Sequence, residues 1–217
     1  MSLSNFMHDL FWDALLKTLY MIIVPTIVAT IFGFIIGIVL VLTKKNGLRP
    51  NKTVYTVLDF IVNTIRSFPF IILIFALIPL NRVLIGTSVG ENAANIAITI
   101  GSAPFIARII ESALNDVDKG LIEAAQSFGA TNTQIIFKVL IKEAVPSIIS
   151  GITLSIIMIL GYTAMAGVVG AGGLGNVALL YGYQSFDTNV MIYTVIALII
   201  LVQIIQSVGN IFYKKLK

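Results

Sequence analysis

The chain of 217 residues contains no cysteine, one histidine and few charges, with Asp, Glu, Lys and Arg together making up 11%. Without cysteine there is no disulfide and no thiolate metal site, and the redox compartment is left open. His8 lies in a polar N-terminal segment and is read as a surface residue. The sequence also lacks a GxxxxGK[ST] loop, an HExxH pair, a nucleophile elbow and any His/Cys/carboxylate cluster. It therefore carries no equipment of its own for nucleotide hydrolysis, metal chemistry or acyl transfer, and we expect neither enzyme activity, cofactor nor metal. No internal repeat and no low-complexity tract is visible, and acidic residues inside the apolar segments are nearly absent, Asp59 being the one candidate.

What is present is apolar. Hydrophobic residues make up 58% of the chain and the mean hydropathy is +1.00, which excludes an ordinary soluble domain and indicates a polytopic membrane protein. The fold class expected is all-α, with five transmembrane helices at about 18–43, 54–80, 93–110, 147–169 and 188–212, each long enough to cross a hydrocarbon core of roughly 30 Å. We expect residues 1–17, with Phe11 and Trp12 together, to form a short interfacial helix; acidic residues ahead of an overlong apolar run argue against a cleaved signal. Gly33 and Gly37 are spaced for close helix approach, Pro25 for a kink, and the run from Gly101 to Pro104 for a bend in the third span.

The basic residues orient the chain. Lys44, Lys45, Arg49, Lys52, Lys119, Lys138, Lys142, Lys214, Lys215 and Lys217 fall on one side, against Lys17 and Arg82 on the other. Positive charge gathers on the cytoplasmic face, so the C-terminus is expected inside and the N-terminus outside, and the net charge of +4 is read as membrane orientation rather than nucleic-acid binding. The whole of 1–217 reads as one transmembrane domain. Gly170, Gly172 and Gly175 match GxGxxG literally, but the match follows a membrane helix instead of a strand and is rejected as a dinucleotide site; the segment from there to Asp187 reads as an interfacial loop.

One long stretch reads as soluble between apolar neighbours: Glu123 to Pro146, within a cytoplasmic elbow at about 116–146. Asp118 is placed to cap a short helix through Leu121, Ile122, Ala124, Ala125 and Phe128, and Gly129 to end it in the left-handed conformation. Thr131 and Gln134 form a capping box for a second helix carrying Ile135, Ile136, Val139 and Leu140 on one side. An amphipathic elbow on a chain without an energy source is best explained as a docking surface for a partner that has one. Arg66, near the middle of the second span, is the other functional candidate, with a structural pairing to Asp59, or to backbone carbonyls freed by Pro69, as the alternative reading.

Glu123-Ala124-Ala125, three residues and then Gly129 resemble the EAA signature of the membrane subunits of bacterial ABC importers. The proline usual further along that signature is absent, with Lys142 in its place and Pro146 four residues on, which leaves the exit from the elbow open. Arg66-Ser67-Phe68-Pro69, Gly86-Thr87-Ser88-Val89-Gly90, Ala103-Pro104-Phe105-Ile106-Ala107-Arg108 and Gly161-Tyr162-Thr163-Ala164-Met165-Ala166-Gly167 widen the resemblance to the permeases of methionine ABC importers. The resemblance implies a type I importer in the bacterial cytoplasmic membrane: two copies of this chain, two copies of an ATP-binding subunit and an extracytoplasmic methionine-binding lipoprotein, surrounded by membrane lipid. It implies ATPase coupling through Glu123, Ala124, Ala125 and Gly129, with Leu121 and Phe128 on the docking face. It also implies a translocation path that includes Met165, with Arg66, Ser67 and Tyr162 as further expected path residues. L- and D-methionine both remain open as solutes, as does another amino acid or small solute on the same architecture. A stand-alone channel or carrier is the reading from another class.

Overall fold

The computed structural model describes residues 1–216; of the basic residues expected on the cytoplasmic side, Lys217 lies outside the described residues. Helix α1 runs Leu3–Thr43 without a break, passing through a π-helical turn at Met7–Phe11. The N-terminal segment is therefore not a separate interfacial helix. Phe6 is buried, its ring 5.4 Å from that of Tyr193, and it shares a small core with Ala14, Leu174, Val177 and Val190. That apolar seat holds the segment against the bundle, while Trp12 stays outward.

Helix α2 (Lys52–Ser67) starts at Asn51, whose side chain accepts the backbone N–H of Val54 at 3.1 Å. It ends where Pro69 withholds a donor, and the chain turns by 106° into α3 (Phe70–Ala76), followed by α4 (Ile78–Ile85). The second span expected as one helix is thus a broken one. Among the described residues four helices are long and apolar enough to cross a membrane, and the bent pair, counted as one span, makes five.

Helix α5 (Glu91–Asn115) is the centre of the bundle and the most enclosed of the long helices. Ala93, Ala94, Ala97, Ala103 and Ala107 let its neighbours come close, and the helix runs on through Pro104 instead of being interrupted there. Gly33 and Gly37 lie on α5: a Cβ on Gly33 would stand 2.9 Å from the carbonyl oxygen of Ala103, and one on Gly37 2.8 Å from that of Ala107. The two glycines are therefore packing residues, and the backbones of α1 and α5 meet because no side chain separates them.

Helix α6 (Lys119–Ser127) is the elbow. Helix α7 then runs Asn132–Val169 as one piece of 38 residues, so the expected second elbow helix and fourth span are continuous and Pro146 lies inside. A π-helical stretch, Ile135–Leu140, carries the chain from elbow to span. After left-handed Gly170 and Gly172, α8 (Gly173–Val177) continues through π-helical turns at Ala178–Gln184 where a loop was expected, seated on α1 and α7. The anchor is local: the Leu174 amide donates to Thr18 Oγ1 at 2.8 Å. Helix α9 (Thr188–Leu216) closes the bundle.

Candidate functional site

The elbow is built from its ends inward. Asp118 accepts the Gly120 N–H at 2.8 Å and starts α6. At the other end the Gly129 N–H donates to the Gln126 carbonyl at 2.9 Å and the Ala130 N–H to the Ala125 carbonyl at 3.0 Å, with Gly129 at φ +76°. This pair of bonds is a Schellman closure, and it needs the left-handed residue that glycine supplies without strain. A Cβ at Gly129 would meet nothing within 4 Å, so the glycine serves conformation and not close approach. Thr131 then receives the Gln134 N–H at 3.3 Å and Gln134 Oε1 accepts the Thr131 N–H at 2.9 Å, completing the expected capping box.

Two faces result. Ile122, Ala125 and Ala130 turn in against a core that includes Val117, Ile135 and Leu140, so the elbow is welded to the start of α7. Glu123 and Ala124 are exposed, Leu121 is 44% exposed and Phe128 is 92% exposed. Phe128 thus stands outward directly beside the Gly129 turn. Between the elbow and the loop after α1 lies a hollow of about 320 Å³ reaching Lys44, Lys119 and Glu123. Lys44 donates to Asn115 Oδ1 there, and burial holds its ammonium below the ordinary lysine pKa against the opposing pull of Glu111.

The expected path residues are brought together only in part. Arg66 and Tyr162 line one cavity of about 240 Å³ with Phe68, Phe70, Phe105 and Met158. The Phe70 and Tyr162 rings stack at 4.1 Å with 7° between their planes, and the Arg66 guanidinium carbon is 5.8 Å from the centre of the Phe105 ring. Ser67 is not part of this lining; its hydroxyl donates to the Asn63 carbonyl at 2.8 Å. Met165 is 45% exposed one turn further along α7, also outside the cavity.

Asp59 is not the partner of Arg66. It accepts from Arg108, which also donates to Asn63 Oδ1 at 2.9 Å and to Glu111 at 2.6 Å, with the Glu111 side chain 9% exposed. This polar cluster joins α2 and α5, and the sequence reading missed it. Its trace in the sequence is the spacing of Arg108 and Glu111 at i,i+3 and of Asp59 and Asn63 at i,i+4. Among the described residues no group of three or more His, Cys, Asp or Glu side chains is placed to hold a metal ion.

An all-helical membrane bundle with a broken second crossing and a rigid, outward-facing elbow on the positive side defines the class: a multi-pass permease subunit that presents a docking surface. The chain belongs to the family described as binding-protein-dependent transport system inner membrane component, which it matches over residues 29–217, and it is a multi-pass inner membrane protein. It is 46% identical over 207 residues to the probable D-methionine transport system permease protein MetI of Vibrio cholerae, covering 95% of this chain and 92% of that one. It is 48% identical to the methionine import system permease protein MetP of Bacillus subtilis, covering 92% and 90%. Among solved structures it resembles a chain of the MetNI methionine ABC transporter in an inward-facing conformation, with a TM-score of 0.95, 40% identity and full coverage of both chains. An amino acid ABC transporter solved with histidines shares the fold, at a TM-score of 0.77 and 20% identity.

Proposed function

We propose that this chain is the membrane-spanning subunit of an ATP-driven methionine importer, acting as a single unit over its whole length. Two copies form the path at their interface, two copies of a separate ATP-binding subunit hydrolyse ATP, and an extracytoplasmic binding lipoprotein delivers the solute. The observation that carries this reading is the unbroken likeness, in sequence and in fold, to methionine ABC transporter permeases together with the intact elbow. Hydrolysis belongs to the partner, and the chain itself is a conduit.

The geometry suggests how the coupling runs. Closure of the ATPase pair pushes on the exposed face formed by Leu121, Glu123, Ala124 and Phe128, and the Gly129 turn passes the push into α7. Because α7 is one helix from Asn132 to Val169, it acts as a stiff lever. Tyr162 and Met165 ride about 45 Å and about 50 Å from its elbow end at 1.5 Å per residue. Movement of the two levers opens the interface outward and then inward, an alternating-access cycle gated by rigid-body motion. Met165, Tyr162, Ser67 and Arg66 are assigned to the path on this reading, with Met165 near the gate. The chain's membership of a binding-protein-dependent family sets aside the stand-alone channel.

Purification of the chain from its native membrane in mild detergent, followed by mass spectrometry of what accompanies it, tests the reading. Recovery with a Walker-motif ATPase in equal copies is the expected outcome. Recovery of the chain alone, still conducting solute in liposomes, would overturn it.

A further inference from the structure

Two arginines stand in the membrane-spanning part of the chain, and the fold treats them oppositely. Arg108 is satisfied by Asp59, Asn63 and Glu111. Arg66 is exposed at the surface of the single chain, has no carboxylate of the described residues within 4.0 Å, and faces the Phe105 ring with its guanidinium carbon 5.8 Å from the ring centre. Fourteen residues of helix separate it from Lys52, which places it about 21 Å from the cytoplasmic end of α2. A cation at that depth is costly unless something pairs with it. Here the cation borders an open cavity, not a partner.

The rest of that cavity matches the other end of a small amphipathic solute. The break at Phe68-Pro69 turns Arg66 and Phe70 onto the same space, and Gly101, whose added Cβ would come within 3.2 Å of Leu73 and 3.7 Å of Tyr162, keeps it open. The stacked Phe70 and Tyr162 rings, the Phe105 ring and the Met158 thioether form an apolar, polarisable wall of the kind a thioether side chain packs against well. At about 240 Å³ the space lies below the range of drug-sized pockets and suits a single amino acid.

We propose that this cavity is a transient binding site for the transported amino acid, one in each copy of the chain. Arg66 pairs with the α-carboxylate, and Phe70, Phe105, Met158 and Tyr162 receive the side chain. The proposal rests on the methionine-permease reading and deepens it. Because Met158 and Tyr162 lie on α7 while Arg66 lies on α2, movement of the elbow shifts the apolar wall against the cation. Affinity is thereby tied to the state of the ATPase, so the site releases as it turns inward.

The test uses the permease–ATPase complex without the binding protein and without nucleotide, irradiated with the diazirine analogue of methionine and mapped by mass spectrometry. Adducts are expected at Phe105, Met158 or Tyr162, competed by excess methionine and not by methionine carboxamide. Their yield is expected to fall at least tenfold in Arg66→Gln and to recover in part in Arg66→Lys, each variant still co-purifying with its ATPase. Should Arg66→Gln fail to assemble, Phe105→Leu, which removes the ring and leaves the charge, is expected to lower the yield severalfold. Adducts elsewhere on the chain, or cavity adducts of equal yield in these variants, would overturn the proposal. ATP-driven methionine uptake by the wild-type complex in liposomes, supplied with its binding protein, separates the two levels. Uptake without cavity adducts overturns the site alone, whereas absent uptake removes the functional reading and the site with it.

Discussion

At the residue scale, the proposed coupling assigns opposite halves of its task to Gly129 and Phe128. Gly129 holds a left-handed turn, so Gly129→Ala should cost about 1–2 kcal/mol of elbow stability, and Gly129→Pro, whose φ is fixed near −65°, should abolish uptake while membrane insertion persists. Uptake by radiolabelled-solute assay, paired with a membrane-fraction blot, checks both. Phe128 is exposed and makes its contribution only when a partner covers it. Burying a phenyl ring is worth about 1.5–3 kcal/mol, so Phe128→Ala should weaken ATPase association by about ten- to a hundredfold with little change in the stability of the chain itself. The two arginines should separate in the same way. Arg108→Gln leaves Glu111 buried beside an unpaired Asp59, at a cost of about 3 kcal/mol, the low end of the range because Asp59 is partly open to its surroundings. Thermal unfolding of the detergent-solubilised chain is expected to show that loss in Arg108→Gln and little change in Arg66→Gln.

At the scale of elements, what was legible in the sequence was what local chemistry determines. Asp118, Gly129, Thr131 and Gln134 specify caps and turns within a few residues of themselves, and the structure places each cap as read. The basic loops and apolar runs likewise located the crossings. Features decided by distant partners were not legible. Nothing in residues 1–17 announces that Phe6 will find Tyr193 and Val190 and draw the segment into the bundle. Pro69 could have kinked a continuous span; it breaks the span by 106°, where α3 finds its seat on α5 and α7. Pro104, embedded among the alanines of α5, and Pro146, inside α7, both lie within unbroken helices. The site followed the same rule: Arg66 and Tyr162 meet across elements far apart in sequence, whereas Ser67, next to Arg66, turns away to its own helix backbone. Packing between α1 and α5 makes an element-scale prediction. Gly33→Leu would drive a side chain into the Ala103 carbonyl and Ile106, at a cost of about 1–3 kcal/mol or more, and should lower the yield of monodisperse protein on size exclusion, while Gly161→Ala, where a Cβ meets open space on an ordinary helical backbone, should do so far less.

At the scale of the whole molecule, the chain is a passive pair of walls joined to a lever. On the proposed cycle the apolar bundle supplies the walls, the α6 elbow receives the force and α7, one helix of 38 residues, carries it. The energy source lies in another subunit, and the solute is handed over by a third. The most direct measurement is therefore uptake of radiolabelled methionine into liposomes that contain this chain, with the ATP-binding subunit and the binding protein each present or left out. Uptake that requires all three components together with ATP, and that is lost in Gly129→Pro, is the predicted result. Solute flux through the chain without the ATPase, or undiminished uptake by the Gly129→Pro complex, would contradict the account.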